Sequence, residues 1–427
     1  MRDKDKKEYD IEYRKELIEE AFNVIKIDKD LIEPYEKIID IYEHHKNEVD
    51  SEIINNIKKI YMQYLKLLDK EFHYYIIAEI EEIKDEQIKD DIENLYIAVS
   101  RIKHNNKYDL DNNERCKLGH YTSIKNLKYL VRRSYSDEDK CFLRLNNIEY
   151  MNDPNEGNIF AKLLANSNKE CKHILDKIYN VHSNSEERVE IKGEGNIFLS
   201  SLSENIDNSL PMWRQYGNDG NGCCLVFDAE FFQDKARRNS KLVLNNRFYN
   251  HIKLNDFGIN SGISGLYNVI YIDKNKILLR DNKQNQVEEK RKNDDIKKCI
   301  KYISNILVKI HLEESDIKQV YKVIREILDT VRFLFKDVAY SYEREVRLIR
   351  FENIEYKNIE DRSKEKVKCT YDTEGFVVPH LYVNFDKEIE LEEVILGPKV
   401  TDERGVANYI RYTKKADKIT KSKIRYK

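Results

Sequence analysis

The chain has 427 residues, 75 basic and 78 acidic, and a formal net charge of −3, which gives no global electrostatic case for a nucleic-acid partner. Hydrophobic residues make up 40% and aromatics 11%, so the chain can bury real cores despite 36% charged residues. No apolar run approaches the ~18 residues of a membrane span, and the start, MRDKDKKEYD, lacks the apolar segment of a signal peptide. The reading is a soluble, cytoplasmic protein with no membrane partner.

All 13 glycines fall at Gly119 or later, and Pro34 is the one proline before that point. Glycine supplies the positive-φ turns of hairpins and bulges, so the first part reads as helical and the sheet as lying beyond it. The apolar residues agree. From about Glu12 to Ile102 they recur at three- and four-residue spacing, the mark of amphipathic helices. One stripe carries Leu17, Ala21, Phe22, Val24 and Ile25; after a break at Asp28–Pro34 another carries Ile38, Ile39, Ile41 and Tyr42. Others run through Ile53–Leu68, then Tyr75, Ile76 and Ile80, then Ile92, Leu95, Tyr96 and Val99.

Residues 1–105 thus read as a module of about five short helices for docking a protein partner or for self-association, either an irregular bundle or a tetratricopeptide-like array without its clean period. Polar residues 106–117 read as a linker, and 118–427 as an α+β domain. Its predicted strands are Cys141–Leu145, Ile197–Leu199, Cys223–Phe227, Val269–Ile272, Val346–Ile349, Phe376–Val378 and Val394–Leu396. At about 284–340 two apolar stripes, Ile296 to Ile310 and Val320 to Leu334, predict an inserted helical hairpin. Seven scattered cysteines without a C-x-x-C pair read as reduced thiols, and no metal site is expected.

Four clusters could carry chemistry. Gly119-His120-Tyr121-Thr122-Ser123 before a helix-like Ile124–Val131 puts an imidazole on a strand beside a Ser/Thr-capped helix start, where anions bind. Glu149-Tyr150-Met151-Asn152-Asp153-Pro154-Asn155-Glu156 is a turn signal that is functional only if its acids face a pocket. Met212-Trp213-Arg214-Gln215-Tyr216-Gly217 offers aromatics for a planar ring and Arg214 for phosphate, against an anchoring role for Trp213; Asn221-Gly222 reads as a hairpin turn. In Tyr342-Glu343-Arg344-Glu345-Val346-Arg347 a strand would set Glu343, Glu345 and Arg347 on one face, as a site or as a salt-bridge ladder.

Together with Ser201-Leu202-Ser203-Glu204, Gly222-Cys223-Cys224-Leu225-Val226-Phe227 and Val394-Ile395-Leu396-Gly397-Pro398, this collinear set resembles the bacterial family catalogued as domain of unknown function 2971, over about Lys117 to Arg411. More distantly, a first strand with His-x-Thr, a helix with Asn126-Leu127-x-x-Leu130 and a glutamate on a late strand are similar to the NAD-using ADP-ribosyltransferase fold. That resemblance implies an ADP-ribosyltransferase-like α+β domain with NAD as substrate and no metal. It implies His120 on a ribose, Tyr150 or Tyr216 stacked on nicotinamide, and Glu345, or Glu343 if the register shifts, as the catalytic carboxylate; Tyr121, Thr122 and Arg214 would complete the NAD contacts. The acceptor would be a nucleic acid or a protein, in bacterial toxin or phage-defence biology. The alternative is a non-catalytic sensing or scaffold protein that recruits a partner through its helices.

Overall fold

The computed structural model describes residues 59, 61–63, 65, 70–108, 117–133, 141–148, 157–180, 197–207, 209–232, 265–274, 276–278, 286–310, 317–352, 368–371, 377–382 and 389–425. The stripes at Leu17–Tyr42 and most of Ile53–Leu68 lie outside the described residues, as do Tyr150 and the Asn-Asp-Pro segment. The chain divides into two compact units, residues 1–82 with 234–263, and 83–233 with 264–427.

In the first unit the described helix is α1 (Lys70–Glu81), whose Phe72, Ile76 and Ile80 are buried at the expected spacing. The second unit opens with α2 (Glu86–Asn105), capped by Asp85, whose side chain accepts from the Gln87 and Ile88 amides. Ile92, Leu95, Val99 and Ile102 form its fully buried stripe. Although this helix reads from sequence as the end of a leading module, it packs on the hairpin α7 (Gln286–Lys309) and α8 (Ile317–Arg332). Both carboxylate oxygens of Asp295 on α7 are held by α2, one by Arg101 at 2.7 Å and one by Asn105 at 2.8 Å.

After α2 comes β1 (Lys117–Ser123), a 3-10 turn at Ile124–Asn126, α3 (Leu127–Leu130) and β2 (Arg144–Asn147). Then follow α4 (Asn158–Ser167), α5 (Cys171–Asn180), β3 (Ile197–Ser203), α6 (Leu210–Gln215) and β4 (Gly222–Asp228). The next strands are β5 (Gly265–Asn268), β6 (Ile270–Asp273) and β7 (Lys276–Ile277). Beyond α8 lie β8 (Phe335–Asp337), a 3-10 turn at Val338–Glu343, β9 (Glu345–Phe351), β10 (Lys368–Tyr371) and β11 (Val377–Tyr382). The chain closes with β12 (Glu393–Leu396), α9 (Glu403–Thr413) and β13 (Lys418–Lys421). The predicted hairpin is present, but it ends at Arg332, and the residues up to 340 form β8 and the following turn.

The main sheet has the order β10-β11-β2-β3-β1-β4-β12-β13, with β9 on the other edge of β3 and β5 beside β9; a small sheet runs β7-β6-β8. Pairing is antiparallel except for β12–β13 and β6–β8. This mixed architecture is α+β. Alternation divides the side chains between two cores: Leu118, Leu202, Leu225, Phe227, Val346, Leu348 and Val394 enter a large one, and Tyr121, Met212, Trp213, Cys224, Val226 and Ile395 a smaller one.

Residues 106–108 run beside β5 rather than free of the domain. Lys107 bridges Tyr267, the Tyr108 amide donates to Leu266 O at 2.8 Å, and the Asn268 amide donates to Asn106 O at 2.7 Å. The expected hairpin at Asn221-Gly222 is corrected: a helix-to-strand turn stands there. The left-handed residues are Asn218, Asp219 and Gly220, joining α6 to β4. Gly222 instead begins β4 so close to β1 that a Cβ would meet Thr122 O at 2.3 Å. Cys141, Cys171, Cys223, Cys224 and Cys299 are buried thiols, and burial pushes those of Cys171 and Cys223 up to about 12.

Candidate active site

Among the described residues, a dense cluster of buried charge lies where β9 leaves the turn after β8. Lys336 on β8 sends Nζ to Glu343 Oε2 at 2.6 Å and to Glu345 Oε2 at 3.0 Å. Arg347 donates from Nε to Glu345 Oε1 at 2.8 Å, from Nη2 to Glu345 Oε2 at 3.0 Å, and from Nη1 to the Phe333 carbonyl. Tyr216 closes the outer side, its hydroxyl donating to Glu343 Oε1 at 2.8 Å. Two carboxylates meet two cations, so the charge is locally balanced, as buried charge must be.

The sequence builds this cluster in a way that alternation alone does not describe. Glu343 is not in the strand; it ends the 3-10 turn, and Arg344 takes a left-handed φ of 43° before β9 begins at Glu345. That single reversal turns Arg344 outward to Glu204 at 3.3 Å while Glu343 and Glu345 still share Lys336. The turn is stitched to β3 and α6: Ser203 donates to Glu343 O at 2.6 Å, and Tyr342 donates to Gln215 Oε1 at 2.6 Å. The Glu345 amide donates to the Tyr271 hydroxyl at 2.9 Å.

The two carboxylates differ electrostatically. For Glu345, burial favours the neutral acid, but Arg347 and then Lys336 outweigh it, and with a hydrogen bond from Ser201 they hold the carboxyl at about 2. For Glu343, burial prevails over Lys336, and its pKa is raised. Burial also raises the Tyr216 phenol, with the Glu343 charge adding to it, so Tyr216 is a neutral donor. Lys336 stays charged, because its carboxylate neighbours outweigh the burial that opposes it.

His120 lies two strands away. The β1–β4 register sets Leu118, His120 and Thr122 opposite Phe227, Leu225 and Cys223 of the large core. On β3–β9, Leu202 opposite Val346 belongs to that same face, whereas Ser201 opposite Arg347 and Ser203 opposite Glu345 belong to the other. His120 and Glu345 therefore occupy opposite faces of the sheet. They meet at Ser201: His120 Nδ1 is 3.3 Å from its carbonyl, and its hydroxyl bonds the Glu345 carboxylate. At this point β3 changes partner, pairing with β2 at Phe198 and Leu199 and with β1 at Ser203. Between Leu199 and Ser203 that edge carries no strand pair among the described residues, leaving a fork in the sheet.

Burial lowers the His120 pKa, with the Ser201 carbonyl opposing. A neutral imidazole that gives its Nδ1 proton to Ser201 keeps a lone pair on Nε2 for a hydroxyl donor. The other expected ligands have different roles. Tyr121 packs edge-to-face on the fully buried Trp213 at 4.9 Å and donates to the Asn205 and Ile206 carbonyls, so both rings are core. Thr122 accepts from Asn126 Nδ2 at 3.0 Å and ties β1 to the next turn, while Ser123 makes no side-chain cap. Arg214 is exposed on α6. Tyr150 lies outside the described residues, and Tyr216, 39% exposed, reaches the carboxylates.

Lys336 escaped sequence reasoning, and Ser201 was singled out only as part of the Ser201-Leu202-Ser203-Glu204 segment, without a role of its own. Lys336 comes four residues after the end of an amphipathic helix, and a lone lysine there reads as surface.

Fold and site together describe an α+β domain with a buried, charge-balanced carboxylate pair beside a forked strand edge. The model of the family described as protein of unknown function (DUF2971) matches residues 212–348, from α6 into β9, taking in Tyr216, Lys336, Glu343, Glu345 and Arg347. No curated protein and no solved structure matches the chain.

Proposed function

We propose that the domain is an NAD-dependent ADP-ribosyltransferase-like enzyme acting on a macromolecular acceptor. The observation that carries this reading is Ser201, which holds His120 by its carbonyl and Glu345 by its hydroxyl at the fork of the sheet. The residues fit such a substrate. The half-exposed Tyr216 ring suits planar nicotinamide, and the His120 Nε2 lone pair suits a ribose hydroxyl reaching through the fork.

As the bond from ribose to nicotinamide breaks, positive charge grows on the sugar. A carboxylate already ionised and fixed by Arg347, Lys336 and Ser201 stabilises that charge without reorganising. Glu343, more readily protonated, is suited to take a proton from the attacking acceptor group.

A second reading, a non-catalytic scaffold, is favoured by one specific observation: both Glu345 oxygens are already engaged by Arg347 and Lys336. One experiment separates the two. The full chain is incubated with NAD labelled in the nicotinamide ring, alone and with nucleic-acid and protein acceptors. The transferase reading expects nicotinamide release that falls by about a hundredfold or more in Glu345→Gln. No release under any of these conditions overturns it in favour of the scaffold, and equal release by the variant overturns the role given to Glu345.

A further inference from the structure

The carboxylates at the start of β9 are closed off from solvent. The side chains of Glu343, Glu345 and Lys336 are 3%, 4% and 9% exposed, and that of Arg347 is 2% exposed. A substrate reaches them only when a neighbour moves. Three partly exposed tyrosines stand around the cluster, and they are tied differently. Lys336 Nζ lies 4.9 Å from the Tyr340 ring centroid. Tyr342 packs on the small core and donates to Gln215 Oε1 at 2.6 Å. Tyr216 bonds a carboxylate of the cluster itself, Glu343 Oε1 at 2.8 Å.

The backbone that carries Tyr216 is pinned. Met212 and Trp213 of α6 are buried in the small core, the Tyr216 and Gly217 amides donate to Met212 O at 2.9 and 3.1 Å, and the Gly220 amide donates to Trp213 O at 2.9 Å. Gly217 lies so close that a Cβ there would meet the Trp213 ring at 2.6 Å. The Tyr216 side chain is held far less. Its ring is 39% exposed, and its hydroxyl has the one hydrogen bond to Glu343. Turning that ring about its Cα–Cβ bond breaks a single hydrogen bond at the surface and leaves the core intact.

We propose that the Tyr216 side chain is a gate over Glu343 and Glu345. It shields the carboxylates in the free protein, and a ligand opens it by placing its own hydrogen-bond donor on Glu343 where the phenol was. The released ring then lines the mouth of the site. This inference rests on the reading of the glutamates as the working groups, and it supplies the movement by which a substrate reaches them.

The test is carboxyl labelling of the full chain with a water-soluble carbodiimide and glycinamide at one fixed pH, mapped by mass spectrometry. Glu86, 84% exposed, serves as the open reference and the buried Glu393 as the closed one. Glu343 is expected to label slowly in the parent and about tenfold or more faster in Tyr216→Phe and Tyr216→Ala, because a hydrogen bond to a charged group is lost. Tyr342→Phe cuts the neighbouring tie to Gln215 but leaves Tyr216 on Glu343, so its labelling should match the parent's. Trp213, the one tryptophan of the chain, should keep its emission maximum in every variant, since α6 stays in the core. Equal Glu343 labelling in the parent and the Tyr216 variants overturns the gate. So does an equal rise in Tyr342→Phe, a parallel rise at Glu393, or a red shift of Trp213, each of which marks general loosening. The labelling uses no NAD: a chain that releases no nicotinamide can still show the gate, and a chain without the gate can still release it.

Discussion

Arg347 holds Glu345 from two positions along the same strand, Nε to Oε1 at 2.8 Å and Nη2 to Oε2 at 3.0 Å, with both side chains almost wholly buried. A forked, two-bond pairing of this kind fixes the carboxylate in angle as well as in place. Removing the arginine leaves a buried carboxylate that has lost its two-bond partner and keeps its contact with Lys336. Arg347→Met is expected to lower unfolding free energy by about 3–5 kcal/mol, measured by urea denaturation. The Arg347→Met, Glu345→Gln double variant should recover part of that loss. A double variant no better than the single one would mean the pair is not energetically coupled.

The two glutamates should respond to pH in opposite senses. An acid held at about 2 rather than 4.5 stabilises the fold above 4.5, and that contribution drains away as pH falls toward 2. An acid raised above 4.5 does the reverse, since ionising it costs folding free energy at higher pH. Glu345→Gln should therefore be most damaging at neutral pH, with a deficit that shrinks on acidification. Glu343→Gln should gain on the parent protein as pH rises. Urea midpoints from pH about 3 to about 7 give both slopes.

His120 gives a third signature in a different pH window. Its pKa lies below the ordinary 6.5, so the folded state prefers the neutral ring, and stability falls as pH drops below 6.5. His120→Asn keeps a donor for the Ser201 carbonyl and cannot titrate. Thermal melts of the two proteins should converge at neutral pH and separate in acid, the variant being the less sensitive.

Gly222 is a steric requirement. An added Cβ would lie 2.3 Å from Thr122 O and 2.7 Å from Gly217 O, both backbone atoms that cannot swing aside. Gly222→Ala should cost about 1–3 kcal/mol by forcing β4 away from β1, read as a lower melting temperature. Amide exchange should quicken along β1 in particular, which a uniform loss of stability would not produce.

Much of this was legible in the sequence. The strands Ile197–Ser203, Gly222–Asp228 and Glu345–Phe351 stand where short apolar runs between turn residues put them, because alternation and turn chemistry are local. The meeting of Glu343 and Glu345 was legible for an incomplete reason. Period two places them together, yet the chain achieves this through a left-handed arginine, which no propensity favours. Lys336 could not be found, since its role arises only when β8 is laid against the start of β9, a long-range event without a local mark. The opposite faces of His120 and Glu345 likewise depend on strand register, which four separate sequence segments settle together. Helix 86–105 has an amphipathic stripe that says it packs, but nothing in that stripe says on what.

The run of chain after that helix has a further consequence. Residues 106–108 lie along β5, the outermost strand on its side of the main sheet, and fill hydrogen-bonding positions that would otherwise face outward. An unpaired strand edge recruits other chains. Here the protein seals its own edge with a segment that looks like a spacer, so lengthening or replacing those residues would expose a template for aggregation rather than loosen a tether.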